Sequence, residues 1–153
     1  MMKFNLTKTT KIFLLLFSMS LFFACSSDDD GGNATGTNSS ISYKVNGQAF
    51  NCNIVGYAVD EFDRQTISGG FNNDSNNSLS FRGYIDEVGA DAIFNSIIIF
   101  NGDSYNDFGQ SNFLSNVIIN NAEKVQGTFS GTLVNDEGET ITVTEGQFEI
   151  FKD

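Results

Sequence analysis

Two C-terminal stretches, VQGTFSGTL (residues 125–133) and ETITVTEGQFEI (residues 139–150), decide the fold class of this chain. In both stretches, apolar residues and glycines alternate with threonine, serine and other polar residues. This period of two predicts a pair of strands that bury one face and expose the other. The residues between them, NDEG (135–138), have the composition of a turn, so the end of the chain is predicted to be a β-hairpin.

The second strand of this hairpin changes phase. Val143 continues a series of apolar residues at odd positions, whereas Phe148 begins a series at even positions. A one-residue change of phase within a strand is what a β-bulge produces. The pattern therefore predicts a bulge at Glu145 and Gly146.

The same alternation is found towards the N-terminus. Residues 41–45 alternate between apolar and polar types, and the dipeptide Asn46-Gly47 that follows is a strong hairpin signal. About eight or nine such segments, joined by polar turns, predict a single all-β domain over residues 41–153. The expected architecture is an antiparallel β-sandwich or a flattened β-barrel.

The centre of the chain is less regular. Residues 72–77 and 102–112 are polar and rich in asparagine, aspartate, serine or glycine, which predicts two loops. Residues 86–92 fit either a loop or one helical turn. Residues 93–100 include four consecutive apolar residues, which is typical of a strand that is covered on both faces.

The first residues have the features of a targeting segment. Three lysines precede an apolar run over residues 12–23, which ends at Ala24 and Cys25. A basic start, a short apolar core and a small residue before the cleavage position are typical of a secretory signal peptide. The run is too short to cross about 30 Å of hydrocarbon as a helix. Residues 1–24 are therefore predicted to be a signal peptide, with an uncleaved N-terminal anchor as the alternative.

The end of this leader resembles the lipobox of bacterial lipoproteins. The five residues after Cys25 resemble the acidic export tag of surface lipoproteins of the Bacteroidetes; they are Ser26, Ser27, Asp28, Asp29 and Asp30. The resemblance implies that Cys25 carries a diacylglycerol and an acyl chain such as palmitate, which anchor the protein in the outer membrane. It also implies that the tag directs the protein to the cell exterior, although a solvated charge run in a linker is the alternative. Residues 25–40 lack large apolar side chains, which predicts a flexible tether.

The C-terminal hairpin carries a second resemblance. Its GTFSGTL and ITVTEGQF stretches, together with the opening YKVNG at residues 43–47, are similar to a family of small Bacteroidetes lipoproteins of unknown function. The similarity covers the leader, the opening strand and about the last thirty residues. It implies an all-β fold and a lipid anchor. It implies no catalytic residues.

Composition excludes several classes of function. The chain has no histidine, tryptophan or proline, so the most frequent general base and zinc ligand are missing. After residue 24 there are five basic and nineteen acidic residues, a formal charge of −14, which argues against nucleic acid as a partner. With Cys25 assigned to lipid, Cys52 has no partner for an intrachain disulfide and is predicted to be a buried thiol.

Calcium is the one metal that the sequence suggests. Residues 101–107, NGDSYND, offer oxygen ligands at alternate positions, with Asp103 and Asp107 as the acidic ones. The glycine and glutamate that complete an EF-hand loop are missing. An ordinary asparagine- and aspartate-rich loop is the alternative, and no other cofactor is predicted.

Three functions stay open at this point. The first is a non-enzymatic surface module that binds a protein or glycan, and the loop aromatics would mark its recognition surface if they were exposed together; they are Phe62, Tyr105, Phe108 and Phe113. The second is a barrel that carries a small apolar ligand, since the chain has eleven phenylalanines after residue 24. The third, a hydrolase of envelope polymers, has the least support because no catalytic constellation is present.

Overall fold

The computed structural model describes residues 38–90, 92–108 and 112–152. Within these ranges the chain forms ten strands and no helix, and all the strand pairs are antiparallel. The all-β prediction is therefore confirmed. No helix in the described part of the chain could cross a membrane. Cys25 and residues 26–30 lie outside the described residues.

The ten strands follow one another closely along the chain. Their bounds are β1 Ser40–Val45, β2 Gln48–Asn51, β3 Ile54–Val59, β4 Arg64–Phe71, β5 Asp74–Tyr84, β6 Ile93–Phe100, β7 Asp103–Asn106, β8 Leu114–Asn120, β9 Lys124–Val134 and β10 Thr140–Phe151. They pair in the order β2-β1-β10-β9-β7-β6-β5-β4-β3, and β8 also pairs with β9.

The sheet curls into a half-barrel, and the chain connects its two terminal strands at one corner. Its terminal strands, β2 and β3, are joined in the chain by Cys52 and Asn53 alone. The backbone N–H of Cys52 donates to the carbonyl of Ile41 in β1 (2.9 Å), and that of Asn53 donates to Gly70 in β4 (3.1 Å). This joint links the two ends of the sheet and produces a flattened half-barrel with one shared core.

The centre of the core is built from glycine–phenylalanine pairs in the C-terminal hairpin. Phe129 of β9 lies opposite Gly146 of β10, and Phe148 of β10 lies opposite Gly127 of β9. A Cβ atom on Gly127 would lie 2.5 Å from Cζ of Phe148, and one on Gly146 would strike the ring and carbonyl oxygen of Phe129. Both glycines therefore provide the space that the rings occupy, and Phe81 packs edge-on against Phe129 at 4.7 Å between centroids.

The bulge predicted in the last strand is confirmed. The register between β10 and β9 shifts between Val143 and Gly146, and Glu145 adopts a left-handed backbone conformation with φ of 54°. The predicted Asn46-Gly47 turn is also confirmed, with φ of 49° and 86° at the two residues. Positive φ at both central positions is the geometry of a tight hairpin turn whose twist matches its strands.

Two predicted loops were wrong in extent. The first is reduced to a turn at Asn72 and Asn73, because β5 already begins at Asp74. The second contains β7, which pairs with the end of β6 and buries Tyr105. Both segments are too polar to be recognised as strands from composition, but pairing with a long neighbouring strand satisfies their backbone groups.

Candidate functional site

Two adjoining grooves cross the outer face of strands β1, β2, β8, β9 and β10. Each has a volume of about 430 Å³, and Thr128, Glu145 and Gly146 line both of them. We call the first of these the bulge groove; its polar lining residues are Ser42, Lys44, Asn51, Thr128, Glu145 and Gln147. The second groove continues it towards β8 and has an apolar wall at Leu114, which is 71% exposed.

A row of hydrogen-bonding side chains runs across this face. The row has one residue from each of five neighbouring strands, paired directly in sequence across the sheet: Asn51, Ser42, Gln147, Thr128 and Asn116. Five strands span about 19 Å at the usual interstrand spacing. The Gln147 amide donates to Oγ of Ser42 at 3.0 Å, so the side chains of the row are partly ordered by one another.

Irregular pairing places the bulge groove where it is. The register of β1 shifts between Ser42 and Lys44, next to the shift in β10 at Glu145. Bulges bend and twist a sheet locally, which creates a depression on its face. Nζ of Lys44 lies 2.7 Å from Oε1 of Glu145, and this ion pair forms part of the groove wall.

A second surface lies on the outer face of β4, β5 and β6. We call it the aromatic–arginine patch and define it by Phe62, Arg64, Arg82, Tyr84 and Phe94. The Tyr84 and Phe94 rings contact each other with centroids 5.0 Å apart and planes tilted by 44°, yet 44% and 42% of the two residues remain exposed. Phe62 is 64% exposed, and the guanidinium carbon of Arg64 lies 4.9 Å from its ring centroid.

The turn beside this patch is held by Asp60. One carboxylate oxygen accepts hydrogen bonds from the backbone N–H groups of Phe62 and Arg64, and the other accepts from Nε of Arg64 at 2.7 Å. Partial desolvation opposes ionisation of Asp60. The hydrogen bonds and the positive charge of Arg64 outweigh that effect and hold the pKa of Asp60 below its ordinary value.

Beneath the patch lies a buried amide. Gln65 points into the core from β4 and is fully buried, and neither its Nε2 nor its Oε1 has a hydrogen-bond partner among the described atoms. Gln65 is paired across the sheet with Gly83 of β5, which lies between Arg82 and Tyr84. A buried amide without partners lowers the stability of the fold.

The structure does not bring the two predicted calcium ligands together. Asp103 begins β7 and Asp107 follows its last residue, so the extended strand separates them by about 10 Å or more. Among the residues that the structure describes, no group of three or more acidic or cysteine side chains is arranged to hold a metal ion. The calcium site stays a prediction.

The four predicted loop aromatics have two different environments. Phe62 and Phe108 are 64% and 61% exposed, whereas Tyr105 is buried and Phe113 packs against the core.

Two exposed aromatics were missed by sequence reasoning, Tyr84 and Phe94. The position of Tyr84 was detectable, because a buried stripe through Leu79 and Phe81 leaves Tyr84 on the outer face. Phe94 is an extra residue at a register shift between β5 and β6, and no composition signal marks it.

Cys52 has the environment predicted for an inert thiol. It is half-buried at the joint between β2 and β3, where a Cβ atom on Gly69 would lie 2.7 Å from its Sγ. Burial raises the pKa of the Cys52 thiol from 9.0 to about 12. Because the thiolate is the reactive form, this site has low reactivity at neutral pH.

No family model matches the chain, and no curated protein or solved structure matches it significantly. The groove and the patch therefore have to be interpreted from their own chemistry.

Proposed function

We propose that this chain is a lipid-anchored, non-enzymatic binding module of the outer membrane, facing the cell exterior, and that its bulge groove binds an extended neutral glycan. One observation carries the proposal: the polar row that crosses five strands at the floor of the grooves. Side-chain amides and hydroxyls both donate and accept hydrogen bonds, as sugar hydroxyl groups do. A row of about 19 Å suits several sugar units better than a small compact ligand.

The core favours a binding module over a carrier of apolar molecules. The rings of Phe81, Phe129 and Phe148 contact one another, with centroid distances from 4.7 to 6.4 Å. A ligand cavity would need these rings to stand apart. Native mass spectrometry of the protein purified without detergent tests the alternative, because a lipid-mass adduct on the β-domain would support the carrier.

Glycan binding is tested by titrating the full-length protein with neutral hexasaccharides built from glucose, mannose or xylose. Thr128→Val removes one hydroxyl from the row, at a residue that lines both grooves, without changing side-chain volume. We expect it to weaken binding about threefold to tenfold, the effect of one hydrogen bond. Thr142→Val is the matched control, because Thr142 of β10 is exposed on the same outer face of the sheet but does not line the groove. If the two variants bind equally, the groove is not the glycan site.

The anchor has its own test. Each buried methylene contributes roughly 0.8 kcal/mol to membrane binding, so the two or three acyl chains expected on Cys25 hold the protein firmly. Cys25→Ser should release the protein from the membrane fraction and abolish labelling with palmitate. Protease added to intact cells should degrade the native protein; survival until the cells are lysed would place it on the periplasmic side.

A further inference from the structure

The aromatic–arginine patch has a charge pattern that packing within the domain does not explain. The chain has two arginines, Arg64 and Arg82, and they lie on the outer face of neighbouring strands. Arg64 pairs with Tyr84, and Arg82 pairs with Thr66, so the two arginines occupy diagonal positions about 7–8 Å apart at Cα. Like charges at such positions repel, although the protein as a whole is strongly acidic.

The positive charge of Arg64 and Arg82 is only partly neutralised by neighbouring acidic residues. Asp60 binds Arg64 at 2.7 Å, but Arg82 has no ion pair with any residue that the structure describes. Arg82 is exposed, and the residues opposite it are the neutral Thr66 and Asn95. The acidic chain thus presents one uncompensated cation on this face. An anionic group of a ligand would complete its pairing.

The aromatic part of the patch is placed next to this cation. Tyr84 lies two residues from Arg82 on the same face of β5, a spacing of about 6.6 Å. A register shift in β6 between Ile93 and Asn95 brings the Phe94 ring to Tyr84. Bulges commonly redirect a side chain at a binding site. Two adjoining rows of side chains result. One contains the exposed rings of Tyr84 and Phe94, and the other contains the Arg82 guanidinium between Thr66 and Asn95.

This combination identifies the chemistry of the ligand. Exposed rings stack on the apolar faces of flat or ring-shaped groups, and a guanidinium binds a carboxylate in two parallel hydrogen bonds. A sugar ring on Tyr84 and Phe94 would place the acid group of its neighbour near Arg82. We propose that the aromatic–arginine patch is a second glycan site, specific for oligosaccharides that contain uronic acids.

This site is separate from the bulge groove, which lies on β1, β2 and β8 to β10. It therefore does not depend on the proposed binding of neutral glycans. Thr128→Val should leave uronate binding unchanged, and Arg82→Gln should leave neutral-glycan binding unchanged. Failure of one site is thus distinguishable from failure of the other.

The experiment is a titration of the full-length protein with tetramers of galacturonate, mannuronate and glucuronate at low ionic strength. We expect at least one to bind saturably, and the methyl ester of that tetramer, which keeps the rings and loses the charge, to bind about tenfold more weakly or not at all. Arg82→Gln should weaken binding by a similar factor. Lys124→Gln is the matched control, since it removes the same charge from a residue paired with Glu149 outside the patch.

The aromatic contribution is tested in the same assay. Tyr84→Ala should weaken uronate binding about threefold to tenfold, as expected for one stacking contact. Phe108→Ala removes an exposed ring outside the patch and should have no effect. Arg82→Gln and Phe108→Ala should melt within about 2 °C of the native protein, because both side chains are exposed. Circular dichroism checks that Tyr84→Ala and Lys124→Gln, whose side chains are partly buried, keep the native fold.

Three results would overturn the proposal. Absence of saturable binding for all three tetramers excludes a uronate site. Equal binding of the acid and its methyl ester excludes recognition of the charge. A hexaglutamate peptide that binds as tightly as the best tetramer, with the same loss in Arg82→Gln, would assign the patch to an acidic protein partner.

Discussion

The C-terminal hairpin and the outer face of β4 to β6 show opposite relations between sequence and structure. In the hairpin, burial determines which residue types fit. Gly127 and Gly146 have no side chain, and the rings of Phe148 and Phe129 occupy the space beside them. On the outer face, Arg82 is exposed and Tyr84 keeps 44% of its surface exposed, so neither belongs to the core. The fold of the hairpin can therefore be predicted from its sequence pattern. The grouping of residues on the outer face cannot, because it depends on the strand register.

The largest effect is expected when the space beside a hairpin glycine is filled, which tests whether packing determines these positions. We expect Gly146→Ala to destabilise the domain by about 3 kcal/mol or more, since its methyl group would strike a backbone oxygen as well as the ring of Phe129. Urea unfolding followed by circular dichroism measures the change. Gly70→Ala is the control, because no atom lies within 4 Å of its Cβ position, and it should be neutral or slightly stabilising. Equal behaviour of the two variants would contradict the role given to Gly146.

The second test concerns the inner side of β4, directly beneath the patch. Gln65→Met replaces the unpaired amide with an apolar side chain of similar shape and should stabilise the domain by about 1–3 kcal/mol. Thermal melting measures the gain. Gln48→Met at an exposed position of β2 should produce no such gain. A loss of stability in Gln65→Met would mean that the Gln65 amide has a partner that the fold needs.

A smaller effect is expected at the joint between the two ends of the sheet. Burial raises the pKa of Cys52, so the folded state favours the neutral thiol. The contribution of this thiol to the free energy of unfolding is complete below the ordinary thiol pKa of 9.0 and is lost as pH rises towards about 12. We expect native Cys52 to react slowly with a disulfide reagent at pH 8 and rapidly in urea, measured as thiol released per chain. Rapid reaction of the folded protein would show that the joint opens.

The smallest effect belongs to the turn beside the patch. The pKa of Asp60 is lowered, so its stabilising contribution is present above the ordinary aspartate pKa and is lost as pH falls through the folded-state value. Asp60→Asn should slightly lower the melting temperature at pH 7 and reduce its further fall in acid. Glu61→Gln removes the same charge from the same turn without these hydrogen bonds and is the control for the loss of charge alone.

Sequence reasoning recovered the parts of the fold in which burial dictates residue type. The bulge at Glu145 follows from a change of phase, and the turn at Asn46 follows from an Asn-Gly pair. It failed where polar side chains hold a strand. In β5, Asp74 accepts from the Asn77 amide at 2.8 Å, and the N–H of Gly102 donates to the carbonyl of Asn76. These bonds compensate for the low strand propensity of the polar residues at the start of β5. They cannot be predicted from a single sequence.

The candidate surfaces were beyond sequence reasoning for a related reason. Asn51 and Asn116 are 65 positions apart in the chain, and only the pairing of five strands places them in one row. Phe94 reaches Tyr84 through a register shift rather than through alternation. Asp103 and Asp107 show the converse, because two predicted ligands that are close in sequence are separated by an extended strand.

The position of β1 has a mechanical consequence for a tethered module. The proposed tether enters the domain at Ser40, and β1 is bonded on one side to β10 and on the other to β2. Tension directed along β1 acts on both ladders in shear, so their hydrogen bonds must break together rather than one after another. An outermost strand would peel away under a much smaller force. Attachment through an inner strand would thus suit the proposed surface module, on which a bound glycan and the surrounding fluid would pull.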